Sequence, residues 1–229
     1  VTDNSGNTAT CDQTVTVIDN VVPTIICPPT VTTNADPGFS YATGVNLGLP
    51  VTSDNCGIAT VTNNSPVQFP IGSTTVTWTV TDINGLTNTC SQTVIITDIQ
   101  APVMNCPATT TVNCIDEIPA AFATLAEFIA AGGSVTDNDG INAASFSLLN
   151  QTSDGQNCPE VITRTYTVAD VNNNFSTCSQ LIVVDDQIDP VFANFPANTT
   201  VECSNIPSVA VIGTDVTATD NCDANVTVT

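Results

Sequence analysis

The sequence predicts an all-β chain of small sandwich domains strung in tandem, and three observations carry that reading. One phrase returns three times: Val1-Thr2-Asp3 through Cys11 recurs as Val80-Thr81-Asp82 through Cys90 and as Val168-Ala169-Asp170 through Cys178. The steps of 79 and 88 residues suit domains of one small sandwich each. Strand patterns dominate the rest. Residues 73–81 alternate strictly, with Val76, Trp78 and Val80 on one face and threonines on the other, the signature of a half-buried strand. Each returning phrase then leads through an acidic stretch into proline, at Pro23, Pro102 and Pro190.

In chain order, residues 1–19 read as the closing hairpin of a truncated domain, 20–98 and 99–186 as full domains, and 187–229 as the first half of a fourth. The chain is thus expected to be a window cut from a longer array. Within 20–98, Asp82-Ile83-Asn84-Gly85 supplies turn chemistry and residues 89–97 form the returning strand. The same hairpin recurs over 162–169 and 177–184, in a register that sets Tyr166 on Trp78 and makes both core anchors. Proline restrains its own φ and extends the residue before it, so the acidic junctions are short and stiff. One segment departs from the all-β pattern. Residues 118–131 carry Phe122, Leu125 and Ile129 at helical spacing, Pro119 near the start and Gly132-Gly133 as a stop. This predicts a short helix inserted in the third repeat, packed as a lid over the sandwich edge, with a partner-binding helix as the alternative.

Composition narrows the function. There are 22 acidic residues against one base, Arg164, no histidine, and a formal net charge of −21. Without cations to neutralise phosphates, nucleic acid is excluded as a partner. An anionic membrane surface would repel the chain, and direct membrane insertion is not expected. The usual general bases and oxyanion clamps are missing, so no enzyme is expected. Arg164 aligns with inward-facing Val76 and is expected in an ion pair with Glu160 or Asp116. The ten cysteines lack the paired spacing of a zinc site and read as disulfides. That places the chain in an oxidising, extracellular setting.

The residues Ile25-Ile26-Cys27-Pro28, Ala35-Asp36-Pro37-Gly38, Ser53-Asp54-Asn55-Cys56-Gly57, residues 69–78 and residues 82–90 closely resemble the hyalin repeat (HYR) family. Thr111-Val112-Asn113-Cys114 and Thr200-Val201-Glu202-Cys203 mark the later repeats as a divergent variant. The resemblance implies tandem immunoglobulin-like β-sandwiches in extracellular proteins associated with adhesion. By analogy, long arrays rich in Thr, Asn and Asp look most like giant cell-surface adhesins of Bacteroidetes, including those of gliding bacteria.

Internal comparison narrows the cysteine pairing. Cys27 and Cys90 have counterparts at Cys106 and Cys178, so Cys27–Cys90 and Cys106–Cys178 are the expected bonds, each tying a first strand to a last. Cys114–Cys158 then follows by elimination. Cys56 is left over, and a Cys56–Cys90 bond that frees Cys27 stays open. Cys203 and Cys222 pair with each other or with residues beyond the chain, and Cys11 pairs outside it.

Calcium at the junctions is the candidate site chemistry. Asp54-Asn55 should end a strand at the same end of the sandwich as Asp82, where the incoming Asp19 and Asn20 also enter. Carboxylate and amide oxygens from separate segments are the hard ligands Ca²⁺ prefers. The second junction offers Asp98, Asp137, Asn138, Asp139 and Asp170, and the third Asp185, Asp186, Asp189, Asp220 and Asn221. Asp and Asn also cap turns with no metal present, which is the competing reading.

The functional expectation is a stalk or filament segment of a large secreted surface adhesin, whose partners are neighbouring repeats of its own chain. The alternative is a module that binds glycans or surfaces directly.

Overall fold

Alternation of threonine with β-branched and aromatic residues places a long hairpin at the centre of each sandwich. The structure, a computed structural model, describes residues 1–156, 158–194, 200–204, 216–223 and 226. Much of the half-domain expected over 187–229 lies outside the described residues. The chain divides into two units, Val1–Asp98 and Ile99–Thr229.

The first unit contains β1 (Thr24–Ile26), β2 (Val31–Asn34), β3 (Tyr41–Thr43), β4 (Val51–Ser53), β5 (Ile58–Asn63), β6 (Gln68–Pro70), β7 (Gly72–Asp82) and β8 (Thr87–Thr97). β7 and β8 form the hairpin, with Trp78 opposite Cys90. β5 flanks β7, and β2 joins β8 in parallel, giving a sheet ordered β2-β8-β7-β5. The antiparallel pairs β1–β4 and β3–β6 complete the sandwich. Val76 and Trp78 of β7 and Val94 and Ile96 of β8 meet Ala42 of β3 and Phe69 of β6 in one core. Burying each large apolar side chain contributes about 1.5–3 kcal/mol. A buried glutamine ties the layers together. Gln92 accepts from Trp78 Nε1 at 2.9 Å and donates to the carbonyls of Pro29 at 2.8 Å and Leu47 at 2.9 Å. Ahead of this sandwich, the hairpin expected over 1–19 is limited to a bridged turn between Thr2 and Thr8. Val15, Val17 and Ile18 stay exposed, because an alternating segment with no neighbouring sheet has nothing to bury its apolar face against.

The second unit contains β9 (Val103–Asn105), β10 (Thr110–Val112), α1 (Leu125–Ala130), β11 (Ser134–Thr136), β12 (Ile141–Ser153), β13 (Glu160–Asp170) and β14 (Phe175–Val184), then β15 (Val191–Asn194) and β16 (Thr217–Thr219). Its main sheet, β10-β14-β13-β12, repeats the topology of the first, including the parallel edge. β9 pairs β11 as β1 pairs β4. Both units are immunoglobulin-like sandwiches. Tyr166 sits opposite Cys178, where the first unit has Trp78 opposite Cys90, and both rings are buried.

The helix is shorter and rotated relative to expectation. It spans Leu125–Ala130, not 118–131, because Thr124 is its N-cap and accepts from Glu127 N at 3.2 Å, while Glu127 accepts from Ala123 N at 2.8 Å. The Thr124 cap, with Glu127 holding the residue just before it, fixes the helix start. The later start turns Phe128 inward and leaves Ile129 half exposed. Phe122 reaches the same core from the extended segment before the helix, 5.9 Å from Phe128 and 5.5 Å from Tyr166 between ring centroids. Gly132, at φ +96°, closes the helix in the left-handed region. The helix occupies the stretch of chain that carries β3 in the first unit, and its aromatic cluster supplies the core that Phe69 and Ala42 supply there.

Candidate metal centre

A regularity of chain position builds the acidic sites. Each of the pairs β1–β4, β9–β11 and β15–β16 begins directly after a proline, Pro23, Pro102 or Pro190, and its second strand ends directly before an aspartate, Asp54, Asp137 or Asp220. All three aspartates make the same turn. One oxygen of Asp54 accepts from Cys56 N and Gly57 N, at 2.8 and 3.0 Å. Asp137 does so with Asp139 N and Gly140 N, at 2.9 and 3.1 Å. Asp220 does so with Cys222 N and Asp223 N, both at 2.9 Å, and these bonds hold its carboxyl below the usual range. Turn capping consumes one oxygen and leaves the other.

The aspartate of the returning phrase also closes a turn. Asp3, Asp82 and Asp170 each accept from the backbone N–H four residues on, at Asn7, Leu86 and Asn174, with distances of 2.8 Å in every case. Local turn chemistry therefore explains part of the acidic pattern without a metal. It does not explain all of it. Asp54 Oδ1, Asp82 Oδ2 and Asp137 Oδ2 are buried and accept no hydrogen bond.

In the first unit, ligand oxygens of Asp19, Asp54 and Asp82 lie within 4.8 Å of one another. They come from three segments: the strand-free stretch before β1, the turn after β4, and the end of β7. Asp82 is 1% exposed. Two side-chain amides gather on Asp19: Asn55 Nδ2 donates to it at 3.2 Å and Asn84 Nδ2 at 3.0 Å. The Val21 backbone N–H, followed by these amides, holds the Asp19 carboxyl below its usual range. Burial, together with the Asp19, Asp54 and Asp82 carboxylates, pushes the neighbouring Cys56 thiol up.

In the second unit, Asp137 and Asp170 bring carboxylate oxygens within 4.8 Å, and Asp170 is fully buried. Asp139 accepts from Asn172 Nδ2 at 2.9 Å. Asp98 closes the first unit and is itself buried. Asp186 and Asp220 cluster further along, and Asn221 Nδ2 lies 3.5 Å from Asp186, echoing the relation of Asn55 to Asp19. The third group there is Cys222, whose sulfur is held in a disulfide. Asp185 accepts from Gln187 instead, and Asp189 is exposed outside the cluster. Sequence reasoning missed Asn84 and Asn172. Both stand two residues after the phrase aspartate, and that shared offset was the available signal.

Two expected cysteine pairings are corrected. The structure joins Cys27 to Cys90 and Cys106 to Cys178, across 63 and 72 residues. Cys114 bonds Cys222, however, so neither Cys114–Cys158 nor Cys203–Cys222 forms. Buried Cys114 faces the turn after β16, whereas Cys158 is exposed with its sulfur 3.6 Å from Asp185. Elimination failed because it confined each bond to one domain. Arg164 is corrected too. It reaches neither Glu160 nor Asp116 but donates to Gln151 Oε1 and the Pro119 carbonyl, both at 2.8 Å, since its buried position on β13 faces the segment leading to α1.

The HYR domain family model matches residues 18–96. Hyalin of Strongylocentrotus purpuratus is 31% identical over 235 residues, covering 96% of this chain and 19% of that protein. The chain thus spans about a fifth of the length of that curated relative. Among solved structures, the protocadherin gamma C5 EC1-3 fragment is 14% identical, with 71% of this chain and 68% of that one covered and a TM-score of 0.38. The human desmocollin-1 ectodomain is 13% identical, with 82% and 39% covered and a TM-score of 0.25. Among the described residues no helix is long and apolar enough to cross a membrane. With its central hairpin and its bond from Cys27 to Cys90, the segment of residues 18–96 is what matches the HYR domain family.

Proposed function

We propose that this chain is a spacer segment of a large extracellular adhesion protein, one that holds other parts of that protein at a distance by stiffness and reach. The observation that carries the reading is the Cys114–Cys222 bond. It fastens the sandwich ending at β14 to the strand pair that follows it, so consecutive elements are linked covalently as well as by their backbone. Three disulfides suit an oxidising, extracellular compartment. A surface with one base in 229 residues gives trypsin a single site. No catalytic set accompanies these features: histidine and lysine are absent, and the single arginine is occupied structurally. The composition fits the surface adhesins of Bacteroidetes that the Thr-, Asn- and Asp-rich pattern resembles.

Two measurements test the reading. In single-molecule stretching, the oxidised first unit should hold back the 63-residue span between Cys27 and Cys90, and reduction should release about 200 Å of further extension. On glycan arrays and coated surfaces the chain should be silent. Specific, saturable binding to a glycan or surface would replace the spacer reading with that of a binding module.

A further inference from the structure

The geometry points to a Ca²⁺ site in the first unit, held by the carboxylates of Asp19, Asp54 and Asp82. This inference stands apart from the spacer reading. The cluster alone would not carry it, because acidic groups collect around turns for local reasons. The orphaned oxygens do. Asp82 is 1% exposed, its Oδ1 closes the hairpin turn onto Leu86 N, and its Oδ2 is buried without a hydrogen bond. Asp54 shows the same division: Oδ2 caps its turn and Oδ1 is buried and unbonded. Buried carboxylates are otherwise paired with a base, hydrogen-bonded or metal-bound. Here no base is available. The chain has one, Arg164, it lies in the other unit, and it is engaged by Gln151 and Pro119.

The donor set selects the ion. Three carboxylates within 4.8 Å of one another offer only hard oxygen ligands, which suits a cation that accepts flexible, high-coordination oxygen shells. Asn55 and Asn84, which donate to Asp19 at 3.2 and 3.0 Å, flank the same point, and half a turn of either amide about its last bond would present its oxygen. The second unit repeats part of the device. Asp137 Oδ2 is buried and unbonded, with the Asp170 carboxylate within 4.8 Å.

The test is calorimetric titration of Ca²⁺ into the chelator-stripped 229-residue chain, alongside thermal melting in Ca²⁺ and in EDTA. We expect Kd on the order of 0.1–1 mM, the range of extracellular calcium modules. The variants are Asp54→Asn and Asp82→Asn. Asparagine keeps one oxygen for the turn and places an NH₂ among the remaining carboxylates, so neither variant should unfold. Each should bind one ion fewer per chain or bind it at least tenfold more weakly. In EDTA each should melt at or above the wild-type temperature, because repulsion is relieved. Three results would overturn the assignment: no binding and no melting shift at about 10 mM Ca²⁺, wild-type binding by both variants, or Mg²⁺ bound as tightly as Ca²⁺.

Discussion

Cys114 and Cys222 are bonded across 108 residues of chain, with their Cα atoms 5.0 Å apart. Cys158 lines the same cavity of about 610 Å³ but remains a free, exposed thiol. Peptide mapping of the unreduced protein after peptic digestion should recover a Cys114–Cys222 peptide, with Cys158 labelled by alkylation before unfolding. A predominant Cys114–Cys158 peptide would contradict the fold of this region. In the chain-entropy picture a loop of this length contributes about 4–5 kcal/mol, so Cys222→Ser should destabilise the second unit more than Cys158→Ser, by chemical denaturation.

Gln92 is the polar hub of the first core. Gln92→Ala strands the Trp78 indole N–H and the carbonyls of Pro29 and Leu47. Each stranded buried group costs about 1–3 kcal/mol, offset where water enters the space. A loss of about 2–4 kcal/mol is expected in urea unfolding followed by Trp78 fluorescence. A loss below about 1 kcal/mol would show that water replaces the amide in full.

Gly133 lies under the Phe128 ring, and a Cβ there would overlap the ring carbons. Phe128 is fully buried and packs against Phe146 and Tyr166 at centroid distances of 5.1 and 5.7 Å, so it has little room to yield. Gly133→Ala should cost about 1–3 kcal/mol. Gly133 lies outside the left-handed region, so the ring overlap and not backbone strain sets its cost; Gly155→Ala, on an open surface at φ +71°, reports the cost of backbone strain without a clash.

Asp3 gives a pH signature away from the acidic clusters. The Asn7 side chain, then the Asn7 backbone, holds its carboxyl below 3.8. A depressed folded value means that the ionised form stabilises the turn above the unfolded pKa, and that this support is lost as pH falls through the folded value. Carboxyl NMR should show Asp3 titrating below a free aspartate, with the Asn7 amide signal following the same curve. A titration at or above 3.8 would remove the turn's electrostatic explanation.

Much of the fold is legible in the sequence because it is local. Alternation over residues 73–81 identifies β7 and its inward face, and Val76, Trp78 and Val80 are indeed buried. Register carried Tyr166 onto the same position in β13. The helix was legible in existence but not in phase. Its start depends on Thr124 capping the Glu127 N–H while Glu127 holds the Ala123 N–H, and a shift of that start exchanges Ile129 for Phe128 at the core. Asp19, Asp54 and Asp82 were legible as a set, but nothing in their spacing shows which oxygens the turns consume.

The sequence by itself determined the hairpins, the turn aspartates and the anchoring aromatics, because patterns of two to four residues are read by backbone geometry within one element. Only the tertiary structure decided that Cys114 takes Cys222 over Cys158, that Arg164 answers to Gln151 and Pro119, and that one oxygen each of Asp54 and Asp82 is sealed from water without a partner. These outcomes depend on which groups packing brings together across tens of residues and on what it excludes. Chain spacing carries neither.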